Sequence, residues 1–157
     1  MNKIAEFKDE YAFLSNFYEC EMTYKGRTFQ SSEAAFHSEK CAVESDKDKF
    51  VGIAPDASKK LGRKITLRSD WNVIREHVMF DIVREKFLQN EDLAAKLLAT
   101  GDSYLMEGNW WRDQFWGVYP ETGIPGVDGL NVLGQILMRV RAELKYKESE
   151  GKVYNAS

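Results

Sequence analysis

The chain has 157 residues, of which 43% are apolar, 30% charged and 13% aromatic, and its formal net charge is −3. That is the composition of one globular domain and not of a disordered chain. The acidic balance argues against bulk electrostatic binding to nucleic acid, and no apolar run of about 18 residues is present to span a membrane.

The first thirteen residues lack the apolar stretch of a secretory signal. With only Cys20 and Cys41 present, no disulfide framework is expected, and the expected setting is the cytoplasm. Leu14-Ser15-Asn16 before Phe17 reads as a loop. Asn16 there either bonds a ligand or ties down its own backbone. Residues 18–30 alternate as a hairpin about Lys25-Gly26. Ser31 or Ser32 then caps a helix expected over 33–45. A short helix follows at 47–53, and Pro55 and Gly62 bracket another. The helix expected over 71–89 carries Trp71, Ile74, Val78, Ile82 and Val83 at helical spacing, with Ser69 or Asp70 as cap. Glu91–Ala99 is a further helix closed by Gly101. SYLMEG and QFWGVY read as short strands around a Trp-rich loop, and a last helix starts at Asn131. The expected class is α+β: a single, mostly helical domain over 3–147 with a small antiparallel sheet. A polar, frayed tail is expected over 148–157.

Four segments can carry chemistry. On a continuous helix, Glu33, Phe36, His37 and Lys40 fall at i, i+3, i+4 and i+7 and share a face. That face is either a solvated ion-pair surface or a pocket wall with Lys40 as a reactive amine. Residues 100–117 interleave Tyr104, Trp110, Trp111, Phe115 and Trp116 with Glu107, Asn109, Arg112 and Asp113. Rings with a few polar groups suit a flat heterocycle, with Glu107 and Asp113 as a carboxyl pair. The alternative is core indoles with the acids paired to Arg112. The glycine-rich stretch 123–134 opens the last helix, so it either holds a phosphate or simply caps that helix through Asn131. Lys59, Lys60, Arg63, Lys64 and Arg68 form a basic run that is either a solvated face or an attractor of a phosphorylated substrate. No CxxC or HxxxH spacing supports a metal.

Several blocks together resemble the NADAR, or YbiA-like, family over about Phe7 to Arg141: YAFLSNFY, FQSSEAAFHSEK, KKLGRKITLRSDW, VREKF, LLATGD, LMEGNWWRDQFWG and GLNVLGQILMRVR. The resemblance implies a helix-rich fold. It also implies cleavage of N-glycosidic bonds in phosphorylated ribose or ADP-ribose compounds, without a metal or redox cofactor. Two substrate classes go with it: ribosylamino-pyrimidine phosphates of riboflavin synthesis, and ADP-ribose on guanine in nucleic acid. The family's motif lysine corresponds to Lys40, which would form a Schiff base with the sugar. Its acidic WG segment corresponds to Glu107, Asp113, Trp116 and Gly117, and one of the two acids would protonate the leaving base. Glu33, Phe36, Trp71, Thr100 and Asn131 also fall on motif positions. Asn16, Phe17 and Gly101 lie inside the matching blocks and join them as expected substrate contacts, with Trp110 or Trp116 stacking on a base. His37 departs from the family pattern. A rival reading is a non-catalytic module that binds NAD or ADP-ribose and has no use for Lys40.

Overall fold

A computed structural model describes residues 2–122 and 126–155, with side chains described as far as Gly151. In chain order the elements are β1 (Lys3–Ile4), a 3-10 helix (Asp9–Leu14), β2 (Glu19–Tyr24), β3 (Arg27–Ser31) and α1 (Ser32–Ser38). Next come a second 3-10 helix (Glu44–Phe50), α2 (Pro55–Gly62), α3 (Trp71–Gln89), α4 (Glu91–Ala99), β4 (Tyr104–Leu105) and α5 (Val132–Asn155). The class is α+β and helix-rich, as expected. The chain divides into two units, Ser15–Asn90 and a second made of Met1–Leu14 with Glu91–Ser157.

In the 15–90 unit, β2 and β3 form the expected antiparallel hairpin. Lys25 and Gly26 both take positive φ, 49° and 82°. That is the backbone a two-residue turn needs to match strand twist. Met22 and Phe29 face each other across the ladder and are buried. Ser31 ends the hairpin and caps α1, its hydroxyl accepting the Ala34 N–H at 3.1 Å. Asn16 supports the same helix start. Its carbonyl accepts the Glu33 N–H at 3.1 Å, and its Oδ1 accepts the Ser32 hydroxyl at 2.8 Å.

The sequence expects α1 to run through 45; it stops at Ser38. The reason lies outside the helix. The Arg68 N–H donates to the Lys40 carbonyl at 2.8 Å, the Ala42 N–H donates to Thr66 at 2.9 Å, and Cys41 bridges to Leu67. These cross-chain bonds take the backbone that another helical turn would use. Lys40 therefore stands in a turn and not at i+7 of a helix. The next helix is 3-10 and covers 44–50. Pro55 and Gly62 bracket α2, and α3 covers 71–89, both as expected. Asp70 sits at the α3 N-cap but makes no side-chain bond to the helix, because both its oxygens go to Arg68, at 2.7 and 3.1 Å. Lys86 is buried on α3, and its amine donates to the Ser15 carbonyl at 3.0 Å. Burial lowers its pKa to about 8.

In the other unit, β1 pairs with β4 in parallel, Lys3 with Tyr104 and Ile4 with Leu105. Of the two strands expected in 103–119, only Tyr104–Leu105 forms. Gly108 and Val118 make a single bridge instead. Leu93 and Leu97 of α4 and Leu133, Ile136, Leu137 and Val140 of α5 are buried. The helix α5 continues through most of the segment that sequence reads as a frayed tail, ending at Asn155. Residues 144–150 are rich in Lys and Glu, which favour helix and pair as Glu143–Lys147. Gly134 lets α5 approach β4, since a Cβ there would run into the Leu105 carbonyl and the Asn131 amide. Gly134→Ala should therefore destabilise the protein by about 1–3 kcal/mol through overpacking, despite alanine's better helix propensity. A lowered thermal midpoint checks this; a raised one would show that the approach is slack.

Candidate active site

The 15–90 unit assembles a site around one amine. Lys40 Nζ lies 5.6 Å from the centroid of Phe36 and 5.9 Å from that of Trp71. The two rings are tilted against each other with centroids 5.0 Å apart, and both are buried. Among the described residues, Nζ has no ion-pair or hydrogen-bond partner. Burial lowers its pKa from that of an ordinary lysine; the Glu33 carboxylate opposes the shift, and the cations of Arg63 and Lys59 add to it. Glu33 in turn accepts from His37 Nε2, with Oε1 at 2.7 Å. The sequence thus placed Glu33, Phe36, His37 and Lys40 together correctly, although the reason is the turn after α1 and not a continuous helix. Trp71 joins them from the start of α3.

Asn16 is buried, and its side chain is spent on Ser32 and Met79. Both bonds go to other side chains and not to its own backbone, so the backbone tie read from sequence is not what the side chain makes. Phe17 is 43% exposed, with Lys59 Nζ 5.7 Å from its ring centroid. Sequence reading folded Lys59 and Arg63 into a general basic run. Their i, i+4 spacing on either side of Gly62 is the signal that would have singled them out.

In the other unit, the polar residues interleaved with the indoles do backbone work. Asp113 Oδ1 accepts the N–H groups of Phe115 and Trp116 at 3.0 and 2.9 Å. Asn109 is buried; its Oδ1 accepts the Asp113 N–H and its Nδ2 donates to the Asp113 and Val118 carbonyls. Arg112 has φ of 64° and stacks over Tyr119 at 5.5 Å. Glu107 is half-buried, and its N–H donates to Asn131 Oδ1 at 3.0 Å. Asn131 has φ of 53° and does not cap α5 with its side chain. Its amide donates to the Leu105 carbonyl at 2.9 Å and the Tyr104 hydroxyl at 3.2 Å. Gly117 is buried, and a Cβ there would meet the Glu107 carbonyl. Trp116 is half-buried and meets Phe115 edge-on at 4.7 Å, whereas Trp110 and Trp111 are 70% and 64% exposed. Thr100 bonds the Leu97 carbonyl and accepts from Arg141, and Gly101 turns with φ of 62°. Residues 126–131 of the glycine-rich stretch are described; 123–125, where it begins, lie outside the described residues.

Among the described residues, no group of three or more His, Cys, Asp and Glu could hold a metal ion, and no helix is long and apolar enough to cross a membrane.

The NADAR domain family matches residues 4–145. A riboflavin biosynthesis protein of Vibrio vulnificus is 43% identical over 141 residues; the match covers 87% of this chain but 36% of that protein, so the chain spans about a third of its length. The N-glycosidase YbiA of Escherichia coli is 33% identical over 139 residues, covering 87% of this chain and 83% of YbiA. The solution structure of E. coli YbiA superposes with a TM-score of 0.79 at 30% identity, covering 94% of this chain and 86% of that one.

The bonds made by Asp113 yield a prediction. Asp113→Ala should cost about 1–2 kcal/mol, the loss typical of a capping carboxylate. Asp113→Asn keeps an oxygen acceptor for the two amides and should cost clearly less. Chemical denaturation of both variants checks the order, and equal losses would mean that the carboxylate's charge matters more than its hydrogen bonds.

Proposed function

The chain belongs to the NADAR family, and we propose that it is an N-glycosidase in which Lys40 is the nucleophile. The observation that supports this most directly is the Lys40 amine, unpaired among the described residues and lying over the packed rings of Phe36 and Trp71. Burial there favours the neutral amine, whose lone pair can attack carbon.

In this reading, the glycosidic nitrogen leaves with its bonding electrons and takes a proton from a carboxyl group. Lys40 Nζ bonds to C1 of the sugar, giving up one proton to the carboxylate; the C1–O4 bond then breaks, O4 takes the amine's other proton, and C1=N forms as the Schiff base. Water then adds to C1 and breaks the C–N bond, returning Lys40 and releasing the sugar. Glu107 or Asp113, as the family resemblance implies, would supply that proton. Acid catalysis of this kind contributes about 10²–10⁴-fold.

One relative is named a riboflavin biosynthesis protein and another an N-glycosidase, which supports a first reading, cleavage of a ribosylamino-pyrimidine phosphate of riboflavin synthesis. A second reading, removal of ADP-ribose from guanine in nucleic acid, draws support from the exposed indoles of Trp110 and Trp111. Bases stack on such rings without regard to sequence. A panel of a ribosylamino-pyrimidine phosphate, guanine-ADP-ribosylated DNA, NAD and ADP-ribose, with products read by mass spectrometry, separates the two. Binding without turnover of any of them would point to a reader module.

Borohydride added during turnover should reduce the Schiff base and leave the sugar on Lys40. Lys40→Ala should abolish the adduct and lower turnover by about 10²-fold or more; full activity in that variant would end the nucleophile reading. Adduct yield should rise with pH and level off below 10.5, the ordinary lysine value, because burial lowers the Lys40 pKa.

A further inference from the structure

His37 stands outside the family's motif residues, yet it is buried in the site and closely held. Its ring lies edge-on to Phe36 at 5.8 Å and against α2 on another side. Gly62 leaves that space, since a Cβ there would come within 2.5 Å of His37 Nδ1. Nδ1 is buried without a hydrogen-bond partner among the described residues. A proton on Nδ1 would meet no acceptor, so the ring carries its proton on Nε2 and donates it to Glu33 Oε1 at 2.7 Å. Glu33 is close enough to oppose the effect of burial on Lys40, yet the two make no ion pair. A carboxylate released from its hydrogen-bond partner is attracted to a nearby ammonium. The other charged groups facing Lys40 do not compete for it. Lys59 and Arg63, from α2 and the residue after it, are cations. Arg68 is committed to Asp70 and Glu39, and α3 presents the uncharged Trp71.

We propose that His37 is a positioning residue that holds the Glu33 carboxylate off Lys40, so that the amine stays unpaired and nucleophilic. The chemical consequence rests on the reading of Lys40 as nucleophile. The geometric part does not.

The test reads the amine without substrate. The full chain is modified with trinitrobenzenesulfonate across a pH series, and the rate at Lys40 is followed by peptide mass spectrometry. In His37→Leu, the freed carboxylate should pair with Lys40 and raise the labelling midpoint by about one pH unit, which is roughly tenfold slower modification near neutral pH. His37→Gln keeps an N–H donor at the same position and should stay near the parent. His37→Leu with Glu33→Gln should return the midpoint to the parent value or below, a rescue that a merely structural role would not give. Gly62→Ala, which crowds the ring off Glu33, should raise the midpoint as well and serves should His37→Leu not fold. An unchanged or lowered midpoint in the single variants, or no rescue in the double, overturns the proposal. Failure of borohydride trapping with these shifts intact would overturn the nucleophile reading alone.

Discussion

The backbone bond from the Arg68 N–H to the Lys40 carbonyl, with its neighbour from Ala42 to Thr66, decides what the 15–90 unit can do. It ends α1 at Ser38 and turns the chain so that the next side chain after Glu39 lies over Phe36 and Trp71. The turn is held from within as well. Glu39 is buried, with Lys25, Lys47 and Arg68 around its carboxylate. A buried acid is tolerable only with such partners. One residue on, Lys40 has rings for neighbours and, among the described residues, no ion-pair partner. Two adjacent charged residues thus meet opposite fates: the first is neutralised to anchor the turn, and the second is left unpaired against the rings.

A different economy governs the segment 104–131. Asn109, Asp113 and Asn131 look in sequence like groups waiting for a ligand, but their side chains are committed to neighbouring backbone. The loop has little regular structure to satisfy its amides and carbonyls, and short polar side chains do it instead. This leaves Trp110 and Trp111 as the exposed rings of that segment.

Legibility from sequence followed locality. The hairpin turn at Lys25-Gly26, the Ser31 cap, Pro55 at the head of α2 and the bounds of α3 and α4 could all be read because each depends on residues within a few positions. The family was legible because many separated blocks had to agree. The end of α1 was not. Cys41 and Ala42 are compatible with helix, and the bonds that stop it come from residues 66–68. The parallel partner of β4 was invisible for the same reason, since two-residue strands carry no periodicity. The grouping of Glu33, Phe36, His37 and Lys40 was read correctly from a helical spacing that the chain abandons after Ser38, so the grouping held while its premise did not. His37 shows the limit of motif reasoning: it departs from the pattern and yet bonds Glu33.

The short ladder between β1 and β4 has a consequence for how the chain is made. The 15–90 unit is one continuous stretch and can close while the rest is still being synthesised, whereas the other unit takes its first strand from the beginning of the chain. Lys3 and Ile4 precede the 15–90 stretch and have no strand partner until Tyr104 and Leu105 follow it. Contacts of such long sequence separation form late, because their loop entropy must be met before they contribute. The loop that holds Glu107 and the exposed indoles is pinned through Asn131 to that strand, so its shape depends on a contact of long sequence separation.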